Sequence, residues 1–69
     1  MGQEVFYGRP ESYKWFAIDE NGWASFSRVQ MVRNHRAWES ESMGVQIFAG
    51  FFDLTGIDWR ETLTERQTT

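Results

Sequence analysis

The segment Asp19-Glu20-Asn21-Gly22 contains residue types that could bind a cation. Carboxylate and amide oxygens followed by a glycine are typical of the start of a calcium-binding loop, but the glutamate that such a loop needs at its twelfth position is missing. The same residue types are typical of a tight turn between two strands. We therefore interpret residues 19–22 as a hairpin turn rather than as a metal site.

The other candidate catalytic and metal-binding residues are too few to form a site. His35 is the only histidine and the chain has no cysteine, which excludes two-histidine and thiolate metal sites. Glu61 and Glu65 lie one helical turn apart, but a bound cation needs further oxygen or imidazole ligands. The sequence therefore predicts no catalytic residue, no metal site and no cofactor, and we expect a protein that is not an enzyme.

Three arginines in the middle of the chain could bind phosphate groups. Residues 28–36 contain Arg28, Arg33 and Arg36 and no acid, and Trp38 follows as an aromatic on which a base could stack. These four residues define an alternative function, the binding of single-stranded nucleic acid. The net charge of −3 and the pI near 4.9 argue against it, because polyanion binders depend on neutralising many phosphates.

The aromatic content is high for a chain of this length. Its 69 residues include four tryptophans, two tyrosines and six phenylalanines. A domain of this size buries only about 60% of the surface of its unfolded chain, so we expect some aromatic rings to stay exposed. Arginine is enriched and lysine depleted at the centres of protein interfaces, and Lys14 is the only lysine beside six arginines. This composition predicts a protein-binding surface.

The clearest local pattern is a β-hairpin with strands at about 13–18 and 23–27. A two-residue Asn-Gly turn would mix apolar residues with Trp23 and two serines on one face, whereas a three-residue loop with Gly22 in the left-handed conformation would not. We choose the second turn because a shift by one residue moves every side chain to the other face. The resulting apolar face consists of Phe16, Ile18, Ala24 and Phe26.

The opposite face of this hairpin is the predicted binding site. Along its two strands it presents Tyr13, Trp15, Ala17, Trp23, Ser25 and Ser27. Large aromatics that alternate with hydroxyl groups are typical of recognition surfaces. The predicted protein-binding residues are Tyr13, Trp15 and Trp23, with Arg28 at their margin.

The remaining segments complete the predicted fold. Residues at about 3–8 read as a strand, and residues 28–39 as a helix with capping-box spacing between Ser27 and Gln30. Residues 45–54 are apolar on both faces, which predicts a central, covered strand with a bulge or a close approach at Gly50. A short helix at about 58–66 should begin at Asp58, and residues 67–69 should fray.

The predicted fold class is α+β, with residues 1–69 as a single domain. Its core is an antiparallel sheet of three to four strands, at about 3–8, 13–18, 23–27 and 45–54, with helices at 28–39 and 58–66. The alternative is a small five-strand barrel in which 28–33 and 36–42 are strands.

The predicted function is protein binding without catalysis. No apolar run approaches the roughly 20 residues of a membrane span, and the first residues lack a signal-peptide pattern, so we expect a cytoplasmic protein with no membrane contact. The protein would act as an inhibitor or adaptor that covers a surface of another protein. A further alternative is a structural homo-oligomer, in which the partner is a second copy of the chain.

Overall fold

The described part of the chain forms two antiparallel sheets and two short 3-10 helices. A computed structural model of the chain describes residues 2–40 and 46–67. The strands are, in chain order, β1 Trp15–Ile18, β2 Trp23–Ser27, β3 Met31–Arg33, β4 Trp38–Ser40, β5 Gln46–Phe51 and β6 Thr64–Glu65, and the 3-10 helices are Gln3–Phe6 and Trp59–Glu61. One sheet has the order β5–β2–β1–β6, and β3 and β4 form the other.

The predicted hairpin is confirmed in its strands and in its register. Phe16 pairs with Phe26, and Ile18 pairs with Ala24, so these residues share one face of the sheet. The side chains of Phe16 and Phe26 are both buried, and their ring centroids lie 5.0 Å apart. The hydrophobic pattern was therefore sufficient to choose between the two turns.

The turn between β1 and β2 is the predicted three-residue loop. The N–H of Gly22 donates to the carbonyl of Asp19 at 3.0 Å, and the N–H of Asp19 donates to the carbonyl of Trp23 at 2.8 Å. Gly22 has a φ of +88°, as predicted. The side-chain oxygen of Asn21 also accepts the N–H of Trp23, which closes the loop against the start of β2.

A first core lies on the apolar face of the hairpin. Its buried members are Phe6, Phe16, Ile18, Ala24 and Phe26. Phe6 comes from the helix Gln3–Phe6, and its ring centroid lies 5.7 Å from that of Phe26. The predicted strand at 3–8 is therefore wrong. The N-terminal segment covers the sheet with one aromatic side chain and does not extend the sheet.

The predicted helix at 28–39 is also wrong, because these residues form the hairpin β3–β4. The hydroxyl of Ser27, expected to cap the helix, instead bonds both the N–H and the carbonyl of Val29 and bends the chain after β2. The side chain of Asn34 accepts the N–H groups of Arg36 and Ala37, which reverses the chain between the strands. Asparagine and serine side chains stabilise such turns in competition with helix.

A second core lies under this hairpin, on the other face of β1 and β2. Ala17, Met31 and Trp38 are its buried members, and Trp15, Trp59 and Leu63 pack against it. A helix over 28–39 would place Met31, Val32 and Trp38 on one stripe. Here Met31 and Trp38 are buried on one side, from two strands, whereas Val32 is exposed. Within the described residues the sheets do not close, so the five-strand barrel is wrong as well. The strands that this alternative assigned to 28–33 and 36–42 do include β3 and β4.

The C-terminal segment forms a single 3-10 turn and a short strand, and the predicted helix at 58–66 is wrong. Asp58 caps the turn as predicted, since its side chain accepts the N–H of Arg60. The chain then extends, and β6 pairs with the beginning of β1. Of the tail at 67–69, Gln67 donates its N–H to the side chain of Gln3, and the last two residues lie outside the described part.

Candidate binding surface

Three aromatic side chains lie in mutual contact on an exposed part of the larger sheet. The ring centroids of Trp23 and Phe48 are 4.3 Å apart, and Phe51 lies 5.4 Å from each of them. The exposed fractions of these side chains are 41%, 50% and 66% for Trp23, Phe48 and Phe51. We call these three residues the aromatic patch. They have a composition that is typical of the centre of a protein interface.

A β-bulge in β5 brings the two phenylalanines together. Phe51 pairs with Trp23 and Phe48 pairs with Ser25, and the register shifts between these pairs. Paired residues share a face, and Trp23 and Ser25 are two positions apart, so Phe48 and Phe51 also share that face although they are three positions apart. Gly50 lies in the bulge with a φ of +115°, which favours glycine. The predicted irregularity at Gly50 is therefore confirmed.

The hairpin β3–β4 covers only part of this face. Gln46 at the start of β5 donates to the hydroxyl of Ser25 at 2.8 Å and to the carbonyl of Trp38 at 2.9 Å. The same side chain accepts the N–H of Ser40 at 3.1 Å. These bonds fix β4 over the beginning of β5, and the aromatic patch lies at the other end of the strand. On this face of the larger sheet, the half near the beginning of β5 is buried under the hairpin β3–β4, and the half near the end of β5 is exposed.

The aromatic patch has the size of a functional surface feature but not of a whole interface. At about 150–250 Å² per aromatic side chain, the exposed fractions leave roughly 300 Å² of aromatic surface in contact with solvent. The largest apolar patch on a typical monomer measures about 300–600 Å². A standard interface buries about 800 Å² on each partner. The patch could therefore supply the centre of an interface, and polar residues around it would supply the rim.

The sequence-predicted site residues do not lie together. Trp15 pairs with Ser27, and Trp23 is four residues from Ser27 along β2, which separates the two tryptophans by about 13 Å along the strand. Trp15 packs against the second core, and Tyr13 packs against the first core on the other side of the sheet. The guanidinium of Arg28 lies 6.0 Å from the centroid of the Tyr13 ring. Of the predicted group, only Trp23 lies in the aromatic patch.

The residues of the nucleic-acid alternative are also divided. Arg28, Arg33 and Arg36 are exposed, but Trp38 is 7% exposed and its indole N–H donates to the carbonyl of Trp59 at 3.1 Å. A ring that is buried in this way presents no free face on which a base could stack. Trp38 therefore cannot be the stacking aromatic that the sequence suggested beside the three arginines.

A cleft of about 370 Å³ lies between the turn of β1–β2 and the turn of β3–β4, where Asp19, Glu20 and Arg36 line it. The carboxylate of Asp19 accepts the N–H of Trp38 at 2.8 Å. Burial raises the pKa of Asp19 and the nearby Glu39 raises it further, while the bond from Trp38 lowers it. The role that these contacts support is structural, because the carboxylate joins the two hairpins.

Comparisons with known proteins give no relative for this chain. No protein-family model, curated protein or solved structure matches it. In residues 2–40 and 46–67, no three potential metal ligands from histidine, cysteine, aspartate or glutamate come together. Neither of the helices described is long or apolar enough to cross a membrane.

Two of the three residues in the aromatic patch were not among the predicted site residues. Phe48 and Phe51 belong to the run at 45–54 that the sequence predicted to be central and covered on both faces. The prediction is wrong because β5 is an edge strand. An available signal was the glycine between them, since a bulge in an apolar strand can turn two aromatic residues to one face.

Proposed function

We propose that this protein is a small, non-catalytic module that binds another protein through the aromatic patch. The observation that carries the proposal is the contact among three partly exposed rings, Trp23, Phe48 and Phe51, on one face of β2 and the edge strand β5. Rings that contact each other are held in place, so little side-chain entropy is lost when a partner covers them. Trp23 is the predicted residue that the proposal keeps.

The proposal gives the three rings the role of anchors. Burying an anchor of this kind typically contributes about 2 kcal/mol or more to binding, which corresponds to roughly 30-fold in Kd. If the patch bound no partner, these exposed rings would lower the solubility of the protein and would not contribute to its thin core. Covering a partner surface, as an inhibitor or adaptor does, is a function that such a patch can perform without catalytic residues.

Charge substitution within the aromatic patch tests the proposal. Phe51→Glu places a carboxylate in the patch, and Val32→Glu is a matched control because Val32 is 51% exposed and lies outside the patch. Each variant is immobilised and used to capture proteins from a nuclease-treated lysate of the native host. We expect the wild-type protein and Val32→Glu to capture the same partner, and Phe51→Glu to lose it. Equal capture by all three proteins would contradict the proposal.

A further inference from the structure

β5 forms one edge of the larger sheet. Among the described residues it pairs with β2 and with no other strand. Proteins usually protect such an edge with charged side chains, proline or a bulge. β5 has a bulge, but its sequence from Gln46 to Phe51 has no charge and no proline. Its edge is therefore only partly protected against the addition of another strand.

The register identifies which backbone groups of β5 face outward. In an antiparallel pair, the N–H and C=O of one residue point to the same side, and successive residues alternate. The carbonyl of Trp23 accepts the N–H of Asp19 at 2.8 Å, and the carbonyl of Ser27 accepts the N–H of Lys14 at 3.0 Å. The backbone groups of Trp23 and Ser27 therefore face β1, and the backbone groups of the residues paired with them on β5 point away from β2. Those outward residues are Phe51 and Gln46, and the same alternation adds Phe48.

The two phenylalanines of the aromatic patch thus combine two properties. Their side chains lie on the exposed face, and their backbone groups point to the free edge of the sheet. The bulge interrupts the spacing between them, so regular pairing with an added strand is restricted to Gln46–Phe48. An added strand at this position would pass directly beside the aromatic patch.

The sequence around β5 is acidic. Residues 37–59 contain no lysine, arginine or histidine, and their acids are Glu39, Glu41, Asp53 and Asp58. The side chain of Gln46 bonds to the carbonyl of Trp38 and to the N–H of Ser40, which places the backbone of Glu39 beside the beginning of β5. Asp53 follows the strand at its other end, and both carboxylates are exposed. The edge strand is therefore uncharged with an acid near each end.

From this arrangement we infer that β5 binds an extended segment of a partner protein as an added strand. The segment carries apolar side chains at alternate positions, which cover the aromatic patch, and lysine or arginine at its ends. This inference rests on the proposed function and specifies the kind of chain that the patch takes. Strand addition of this type combines backbone hydrogen bonds with pockets for alternate side chains.

A second copy of the chain fits this edge less well. Antiparallel pairing of two β5 strands would bring Asp53 of one copy toward Glu39 of the other at both ends. Each copy also has a net charge of −3. Like charges placed opposite each other at an interface disfavour association. A segment with basic ends reverses the sign of both contacts.

Selection of peptides from a random dodecapeptide display library tests the inference. The wild-type protein is the bait, and Phe51→Glu is used to remove peptides that bind elsewhere. We expect the selected peptides to alternate apolar residues and to carry lysine or arginine near their ends. Asp53→Asn should weaken their binding by about two- to fivefold, because a single exposed charge contributes little.

N-methylation of the selected peptides then tests strand addition itself. Methylating the amides of every second residue should weaken binding by about tenfold or more in one register and by less than about threefold in the other, because only one set of N–H groups faces β5. Equal effects in both registers, or peptides without basic ends, would overturn the inference and leave the proposed function in place.

Selecting no peptide that depends on Phe51 would also overturn the inference, and the proposed function would then depend on the capture experiment. Self-association of the wild-type protein that Phe48→Glu abolishes would replace the partner segment by a second copy.

Discussion

Where the sheets end, polar side chains accept hydrogen bonds from backbone N–H groups that have no neighbouring strand. Asp19 accepts the N–H of Trp38, Gln46 joins β5 to β4, and the hydroxyl of Thr62 accepts the N–H of Ile18 at 2.8 Å. In the described residues, no buried side-chain nitrogen or oxygen lacks a hydrogen-bond partner. An unpaired buried polar group costs about 1–3 kcal/mol, and a domain is stable by only about 5–15 kcal/mol, so each of these bonds is a sizeable part of the stability.

Gly22 is the residue at which backbone conformation and packing act together. A Cβ at this position would lie 2.5 Å from the carbonyl oxygen of Phe52, and the φ is +88°. We expect Gly22→Ala to destabilise the protein by more than about 2 kcal/mol, since left-handed strain alone costs about 1–2 kcal/mol. Gly8→Ala is the control, because Gly8 has a φ of +77° and no atom within 4 Å of an added Cβ. Urea unfolding that gives equal losses for both variants would contradict the clash at Gly22.

Asp19 should make the stability of the protein depend on pH. Burial raises its folded-state pKa above the ordinary value of 3.8, so the folded protein holds this proton more tightly than the unfolded chain does. Stability should therefore fall as the pH rises from about 3.8 through the folded-state pKa. Asp19→Asn keeps an oxygen for the N–H of Trp38 and removes the charge.

We expect the stability of Asp19→Asn, relative to the wild type, to be greater at pH 7 than at pH 3, because only the wild-type side chain ionises in this range. Asp19→Ala should be less stable than Asp19→Asn at both values, by about 1–3 kcal/mol, because the N–H of Trp38 loses its partner. Thermal unfolding at the two values measures both differences. A relative stability of Asp19→Asn that does not change with pH would contradict the shifted pKa.

At the scale of the elements, the hairpin β3–β4 decides which half of the sheet is a core. It places Met31 and Trp38 against Ala17, and Gln46 fixes it over the beginning of β5. The C-terminal segment completes the second core with Trp59 and Leu63. Because these elements end before the aromatic patch, the patch is exposed as a result of their length and position.

The C-terminal segment depends on Thr62 for its attachment to β1. Thr62 is 2% exposed, and its hydroxyl accepts the N–H of Ile18 just beyond the pairing of β1 with β6. Thr62→Val has nearly the same shape but leaves that N–H unpaired, and we expect a loss of about 1–3 kcal/mol. Thr62→Ser keeps the hydroxyl and removes one methyl group, which should cost about 0.8 kcal/mol. A valine variant as stable as the serine variant in chemical denaturation would show that the bond contributes little.

For the whole molecule, charge and size limit the partners. The net charge is −3, and Trp38 is buried and offers no ring face on which a base could stack. Other arginines serve the fold, since the guanidinium of Arg66 donates to the carbonyl of Pro10 at 3.0 Å. These features favour a protein partner over a nucleic acid.

A salt titration distinguishes these two partners. We expect no binding of single-stranded DNA or RNA at tens of micromolar protein in low salt, where even non-specific polyanion binders associate. If binding occurs, the nucleic-acid alternative predicts that Arg33→Ala and Arg36→Ala each reduce the salt slope by about one. Fluorescence anisotropy measures both. Binding with that slope change would favour the alternative over the proposed function.

The sequence by itself determined the hairpin of β1 and β2. Its turn residues and its single apolar face act over short distances, so the register and the conformation of Gly22 follow from about fifteen neighbouring residues. It also determined that Asp58 caps a helical turn. These features depend on hydrogen bonds and hydrophobic patterns among neighbouring residues, which do not require contacts with distant segments.

Only the tertiary structure decided how the segments at 28–39 and 46–51 are used. The spacing of apolar residues in the first fits a helix better than a strand, but burial against Ala17 and the bonds to Asp19 and Gln46 select the hairpin. The second is apolar on both faces, yet it became an edge strand whose bulge exposes Phe48 and Phe51. Which apolar residues are covered depends on contacts between distant segments, and periodicity within one segment does not contain that information.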